Sequence, residues 1–231
     1  MWDQPQLKFS PEKTIQILIA NLDHLPKNRP LNICISLTTD PFQPKMESKY
    51  RLTYRILEAI AVSKVKNQHV WMILTKQPPP EEYFAVMQKI PSLWFGMTIT
   101  SIKKYELEQN AADPQERIRT IRMAKLKYGL KTFVSIEPLF PPNQPMDILY
   151  ALSNCLDWVI LGKYNPSTKF NHFYRQAYVL TIKYLQDYKI PFLIKDKLKE
   201  VLPEFHSTLE RPTLKASLKN QGLDRFIQQE A

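Results

Sequence analysis

Six short runs in this chain are apolar on both faces, and each is separated from the next by a helix-length stretch. The runs fall at residues 32–37, 70–75, 93–100, 131–136, 157–161 and 191–194, and are rich in Ile, Val, Leu, Phe and Trp. A strand that is apolar on both faces cannot leave one face in water, so its place is a parallel sheet covered by helices. Ser10-Pro11 opens the first helix, with Ser as N-cap and Pro at the first helical position. Further helices are predicted at 48–65, 80–89, 113–128, 146–155 and 172–188. The fourth of the six is opened by Asp113-Pro114 and closed by Gly129. Strands alternating with helices in this way imply right-handed βαβ units. No repeat, low-complexity run or linker divides the chain. We therefore expect one α/β domain over 1–202 and a polar, basic C-terminal tail over 203–231.

Composition narrows the function. The net charge is +10 and the pI about 9.5, which favours polyanionic partners such as nucleic acid, although a lysine-rich solvated surface has the same signature. With four glycines in the whole chain, neither GxxxxGK[ST] nor GxGxxG occurs, against a nucleotide-driven motor or a standard dinucleotide enzyme. No run of about 18 apolar residues is present and the first residues lack an apolar h-region, so no membrane span and a cytoplasmic location are expected. The two cysteines, Cys34 and Cys155, sit in apolar contexts and read as reduced and structural. His24, His69, His172 and His206 show no metal-ligand spacing, so no metal site is expected.

Polar residues collect where the predicted strands end, which is where parallel α/β sheets bind ligands. Thr38, Thr39 and Asp40 follow the first run, and Thr75 and Lys76 the second. Thr98, Thr100 and Ser101 follow the third, Ser135 and Glu137 the fourth, Lys163 and Asn165 the fifth, and Lys195 and Asp196 the last. Strand ends carry polar residues in any sheet, and Asp40 before Pro41 is good turn chemistry. A lysine and a glutamate directly after apolar strands are different, because partial desolvation obliges them to find partners or a ligand. Pro41, Pro78, Pro138 and Pro166 stiffen four of these turns.

The segments "TTDPFQPKMESKYRLTYRILE", "ILTK", "GMTIT", "SIEPLFP" and "LGKYNP…FLIKDKL", in this order, resemble the radical S-adenosylmethionine (SAM) fold of the spore photoproduct lyase-like group and related phage-encoded proteins. The resemblance covers about residues 9–198. It implies a partial (β/α)6 TIM-like barrel with SAM lying across the strand ends. By the same resemblance, Thr39 and Asp40 lie near the methionine moiety and Lys76 faces its carboxylate. Thr98 and Thr100 flank the ribose or carboxylate, and Glu137 and Asn165 line the substrate side. The chemistry implied is one-electron cleavage of SAM to a 5′-deoxyadenosyl radical, which abstracts a substrate hydrogen.

The family's [4Fe–4S] cluster is held by a CxxxCxxC loop after the first strand, and that motif is absent here. The barrel is thus expected to lack its first strand and cluster loop, with the cluster's cysteines coming from a missing segment or a partner polypeptide. The alternative is a cluster-less, non-catalytic nucleic-acid- or protein-binding subunit on the same fold. For nucleic acid, the basic helix "PQERIRTIRMAKLKYG" offers Arg117, Arg119, Arg122 and Lys125 as backbone contacts. Tyr164, Phe170, Phe173, Tyr174 and Tyr178 are candidates for base stacking or for the core.

Overall fold

A computed structural model describes residues 9–35, 39–104, 108–139, 144–163 and 171–209. Six strands form one sheet: β1 (Asn32–Ile35), β2 (Val70–Thr75), β3 (Leu93–Thr98), β4 (Lys131–Ile136), β5 (Trp158–Leu161) and β6 (Phe192–Ile194). They lie in sequence order, each parallel to the next. The sheet curls into an open half-barrel, the partial TIM-like barrel that the family resemblance implied. Residues 36–38 fall outside the described residues, so the end of the first predicted run and Thr38 are not placed.

Eight helices accompany the strands among the described residues. They are α1 (Pro11–Asp23), α2 (Pro44–Tyr50), α3 (Leu52–Val62), α4 (Glu82–Met87), α5 (Pro114–Leu126), α6 (Pro145–Ala151), α7 (Asn171–Asp187) and α8 (Asp196–Lys199). The caps follow the sequence signals. Ser10 Oγ accepts from Lys13 N at 3.2 Å and Asp113 Oδ1 from Gln115 N at 2.8 Å. After α5, Gly129 takes φ +63°, and Leu130 N donates to the Ala124 carbonyl at 3.0 Å. A left-handed residue with a reach-back bond of this kind is a helix stop that only glycine adopts without strain.

The two faces of the sheet make separate cores. Trp71, Ile73, Phe95, Met97, Val134, Ile136, Val159 and Leu161 join helix residues such as Leu57, Ile60, Phe84, Ile121 and Ile182 in the main core. Each fully buried side chain of this size contributes about 1.5–3 kcal/mol by leaving water. On the opposite, concave face, Phe133, Trp158, Ile160 and Leu193 cluster, with Met72, Leu74 and Trp94 packed against them. Phe133 stacks on Trp158 with ring centroids 4.6 Å apart, and Trp94 meets Trp158 edge-on at 6.2 Å. Phe133 also lies over Gly96, its partner in the β3–β4 ladder; a Cβ on Gly96 would come within 2.4 Å of the ring.

The first residues of the predicted tail cover the outer edge of β6. Phe192 N donates to Thr208 Oγ1 at 2.8 Å and Ile194 N to Ser207 Oγ at 2.9 Å. Edge amides that would otherwise template another strand are thereby satisfied.

One predicted helix differs. The stretch expected to run unbroken over 48–65 is two helices that meet at Arg51, whose φ is +46°. The cause is Glu47, a charged residue that is buried. Its carboxylate accepts Thr53 N at 2.8 Å, capping α3 from within, and the Tyr83 hydroxyl at 2.6 Å. Burial, and then the hydrogen bond to Glu47, hold the Tyr83 phenol well above its ordinary range, so it stays a donor. Arg51 stacks over Tyr54 with its guanidinium carbon 4.3 Å from the ring centroid. Replacing Glu47 by Ala orphans a buried amide and a buried hydroxyl at once. The expected loss is about 2–4 kcal/mol in urea unfolding, whereas Arg51→Gly, which relieves the left-handed strain, should stay within about 1 kcal/mol of wild type.

Candidate functional site

Because every strand runs the same way, all six deliver their carboxyl ends to one edge of the sheet. The loop after β1 is fastened there by Asp40. Its Oδ1 accepts from Phe42 N at 2.9 Å and from the Thr75 hydroxyl at 2.7 Å, and its Oδ2 from Lys76 N at 2.7 Å. Asp40 thus ties the β1 loop to the last residue of β2. Thr39, next to it, is exposed.

The next two strand ends converge on a carboxylate that the sequence reading passed over. Glu108, in the loop after β3, receives Lys76 Nζ on Oε1 at 2.7 Å. Its Oε2 receives Arg117 Nη2 at 2.7 Å and the Thr100 hydroxyl at 2.9 Å. Arg117 is fully buried and also donates through Nη1 to the Thr98 carbonyl at 2.7 Å. Its Nε has no hydrogen-bond partner among the described residues. Burial pushes the Glu108 carboxyl up, but the hydrogen bond and charge of Arg117, and then of Lys76, outweigh it and hold the group below its usual value.

A second constellation sits at the ends of β4, β5 and β6. Glu137 forms an ion pair with Lys195, the Glu137 side chain being only 14% exposed. Glu137 lies against the bare Cα of Gly162; a Cβ there would be 2.6 Å from the carboxyl carbon. Below them the Tyr178 hydroxyl sits between the carbonyls of Gly162, at 2.7 Å, and Ile136, at 3.1 Å. Burial, then the neighbouring Tyr174 and the Glu137 charge, raise the Tyr178 phenol well above its ordinary range, so it stays a neutral donor. Lys163 is buried, its Nζ 3.3 Å from Asn171 Oδ1. Ser135 is buried and pairs directly with Thr98 in the β3–β4 ladder. Asn165 lies outside the described residues, as do Tyr164 and Phe170.

The basic helix needs correction as a nucleic-acid surface. Arg117 cannot contact a phosphate backbone, because it is wholly enclosed with Glu108. Lys125 is engaged with Asp157 at 2.6 and 2.8 Å. Arg119 and Arg122 are exposed, and Arg122 donates to the Ala151 carbonyl at 3.1 Å. The signal for Arg117 was present in the spacing: Pro114, Arg117, Ile121 and Ala124 are buried positions three or four residues apart, so Arg117 falls on the inward stripe. Tyr174 and Tyr178 are also buried and serve the core.

Neither cysteine approaches these groups in role. Cys34 is half-buried in β1 and Cys155 is buried in the connection before β5, at the opposite end of the sheet. Burial raises both thiols above their ordinary value, against the thiolate form that iron needs. Among the described residues no three His, Cys, Asp or Glu side chains are grouped to hold a metal ion, and no helix is long and apolar enough to cross a membrane. The residues therefore do not fit an iron–sulfur cluster.

The Glu108 pair has a pH signature. Its folded pKa lies below the reference value of 4.5. Its contribution to stability is therefore complete above that value and is lost as pH falls through the lower, folded one. Glu108→Ala should cost about 3–5 kcal/mol at neutral pH by stranding buried Arg117, and its stability should fall less steeply than wild type below pH 4.5 in pH-resolved urea unfolding.

The fold has solved counterparts. SuiB of Streptococcus suis bound to S-adenosylmethionine superposes with TM-score 0.61 at 14% identity, over 89% of this chain and 48% of SuiB. SuiB bound to its precursor peptide SuiA gives 0.57 at 14% identity, over 90% and 47%. Spore photoproduct lyase with a dinucleoside spore photoproduct gives 0.50 at 10% identity, over 73% and 51%. The chain spans about half the length of these proteins. At such identities the likeness shows the fold alone, the partial TIM-like barrel implied by the order of the sequence motifs. No curated protein matches the chain. The family model that does match, described as protein of unknown function DUF5131, runs over residues 4–196, from before α1 to the start of α8, and the chain belongs to that family.

Proposed function

We propose that the carboxyl edge of the sheet binds S-adenosylmethionine, and that the chain is the SAM-binding part of a radical-SAM-like protein of the spore photoproduct lyase type, acting on or near nucleic acid in the cytoplasm. The observation that carries this reading is the cradle formed by Glu137 over Gly162, at the strand ends of a fold that SuiB uses while bound to S-adenosylmethionine. SAM offers an ammonium, a carboxylate and a ribose diol. Glu137 supplies an acceptor for the ammonium or hydroxyls. Thr39, Thr98 and Thr100 supply hydroxyls, with Asp40 as the fastening of that wall, Lys76 as the nearest cation and Asn165 as a further amide. Reductive SAM chemistry would need an iron–sulfur cluster, whose cysteines another segment or a partner polypeptide has to contribute. No step of that chemistry is assigned to this chain.

A second reading is supported by the cysteine placement: a cluster-less subunit that uses the same fold to bind a ligand, a protein or nucleic acid without catalysis.

Calorimetric titration of the purified chain with SAM should give measurable heat, and Glu137→Ala should weaken binding at least about tenfold, a change of about 1.4 kcal/mol. No heat from wild type, or the same affinity in Glu137→Ala, would remove the SAM reading. Reconstitution with iron and sulfide should give no stable [4Fe–4S] absorbance from this chain alone. A stoichiometric cluster would show that the cysteine argument is wrong.

A further inference from the structure

The parallel order of the strands sorts charge as well as ligands. At the carboxyl edge the described loop residues are nearly balanced: Lys76, Lys103, Lys104, Lys163 and Lys195 stand with Asp40, Glu108, Asp113 and Glu137. The amino edge is different. The connection into β1 carries Lys27 and Arg29, that into β2 carries Lys64 and Lys66, and that into β3 carries Lys89. Lys127 and the first residue of β4, Lys131, continue the series, and Lys189 precedes β6. Among these connections the sole acid is Asp157, which Lys125 and the Thr132 amide already engage at 2.6 and 2.7 Å. Among the described residues, Asp23 and Asp187 stand at the ends of α1 and α7, and Glu81, just before α4, reaches this edge to engage Lys127 at 2.5 Å and the Tyr128 hydroxyl at 2.7 Å.

Six of these cations, Lys27, Arg29, Lys64, Lys89, Lys131 and Lys189, are exposed and have no ion-pair partner among the described residues. Strands sit about 4.8 Å apart, so the row from β1 to β6 spans roughly 24 Å. That length matches several consecutive phosphates of one strand. An aromatic platform adjoins the row. Lys131 Nζ lies 5.5 Å from the centroid of the half-buried Trp94 ring, its ladder partner near the start of β3. Cations in a row beside an accessible indole are what a single strand needs, with phosphates on the lysines and a base on the ring.

We propose that this amino-terminal rim, and not helix α5, is the nucleic-acid contact of the chain, and that it takes single-stranded nucleic acid through its backbone. The proposal does not depend on what the carboxyl edge binds, and its test contains no SAM. Fluorescence anisotropy with a labelled oligothymidylate, titrated over salt, should show binding whose logarithm falls linearly with the logarithm of salt concentration. The combined Lys64→Glu, Lys89→Glu and Lys131→Glu variant should bind at least about tenfold more weakly, with the slope reduced by about 2, because each lost phosphate contact on a single strand removes about 0.7. The Arg119→Glu, Arg122→Glu variant should bind as wild type does, and circular dichroism melting should show both variants folded. Absence of binding by wild type overturns the proposal. So does an α5 variant that weakens binding as much as the rim variant, or a duplex bound as tightly as the single strand. Co-sedimentation with phosphatidylserine–phosphatidylcholine vesicles that is lost in the rim variant, without oligonucleotide binding, would assign the rim to a membrane surface instead.

Discussion

All six strands of this sheet are hydrogen-bonded in one direction, and most of what the molecule presents follows from that. A parallel ladder forces each connection to cross the whole length of the sheet, so the chain leaves strands on one edge and starts them on the other. The two edges therefore collect two separate populations of residues from distant parts of the sequence. One population is mixed in charge and partly enclosed. The other is basic and open. An antiparallel arrangement of the same strands would have mixed them.

The strands were legible in the sequence because burial on both faces leaves continuous apolar runs, and the ends of α1 and α5 because Ser10, Asp113 and Gly129 act locally. The break at Arg51 was not legible. Its cause, Glu47, reads as a surface residue until Tyr83 and Thr53 are brought to it from other elements. Glu108 escaped for the same reason: its partners Lys76, Thr100 and Arg117 are distant in the chain or in different elements. Arg117 was read by its charge when its position on the inward stripe of α5 was the better guide. Strand-end residues such as Thr98, Lys76 and Glu137 could be named from sequence, but not how they divide into an internal network around Glu108 and a second group around Glu137.

That division bears on the chemistry. The carboxylates at the carboxyl edge are committed in unequal degree. Asp40 is saturated by donors of its own chain, and Glu108 is shared among three partners, so both act as fastenings of the loops. Glu137 makes an ion pair with a single lysine that is itself partly exposed, on a shelf with no side chain beneath it. A ligand that supplies its own cation can compete for Glu137 without dismantling the fold, whereas competing for Glu108 would expose a buried arginine.

The shelf itself links two positions that are far apart in sequence. Gly162 has no unusual backbone angle, and the three atoms nearest to a Cβ there all belong to Glu137, so it is the volume of Glu137 that requires glycine. Residues 137 and 162 are therefore one unit of variation. A relative with a small side chain at the first position is released from glycine at the second. One that gains a side chain at the second must surrender the carboxylate, and with it whatever the carboxylate recognises.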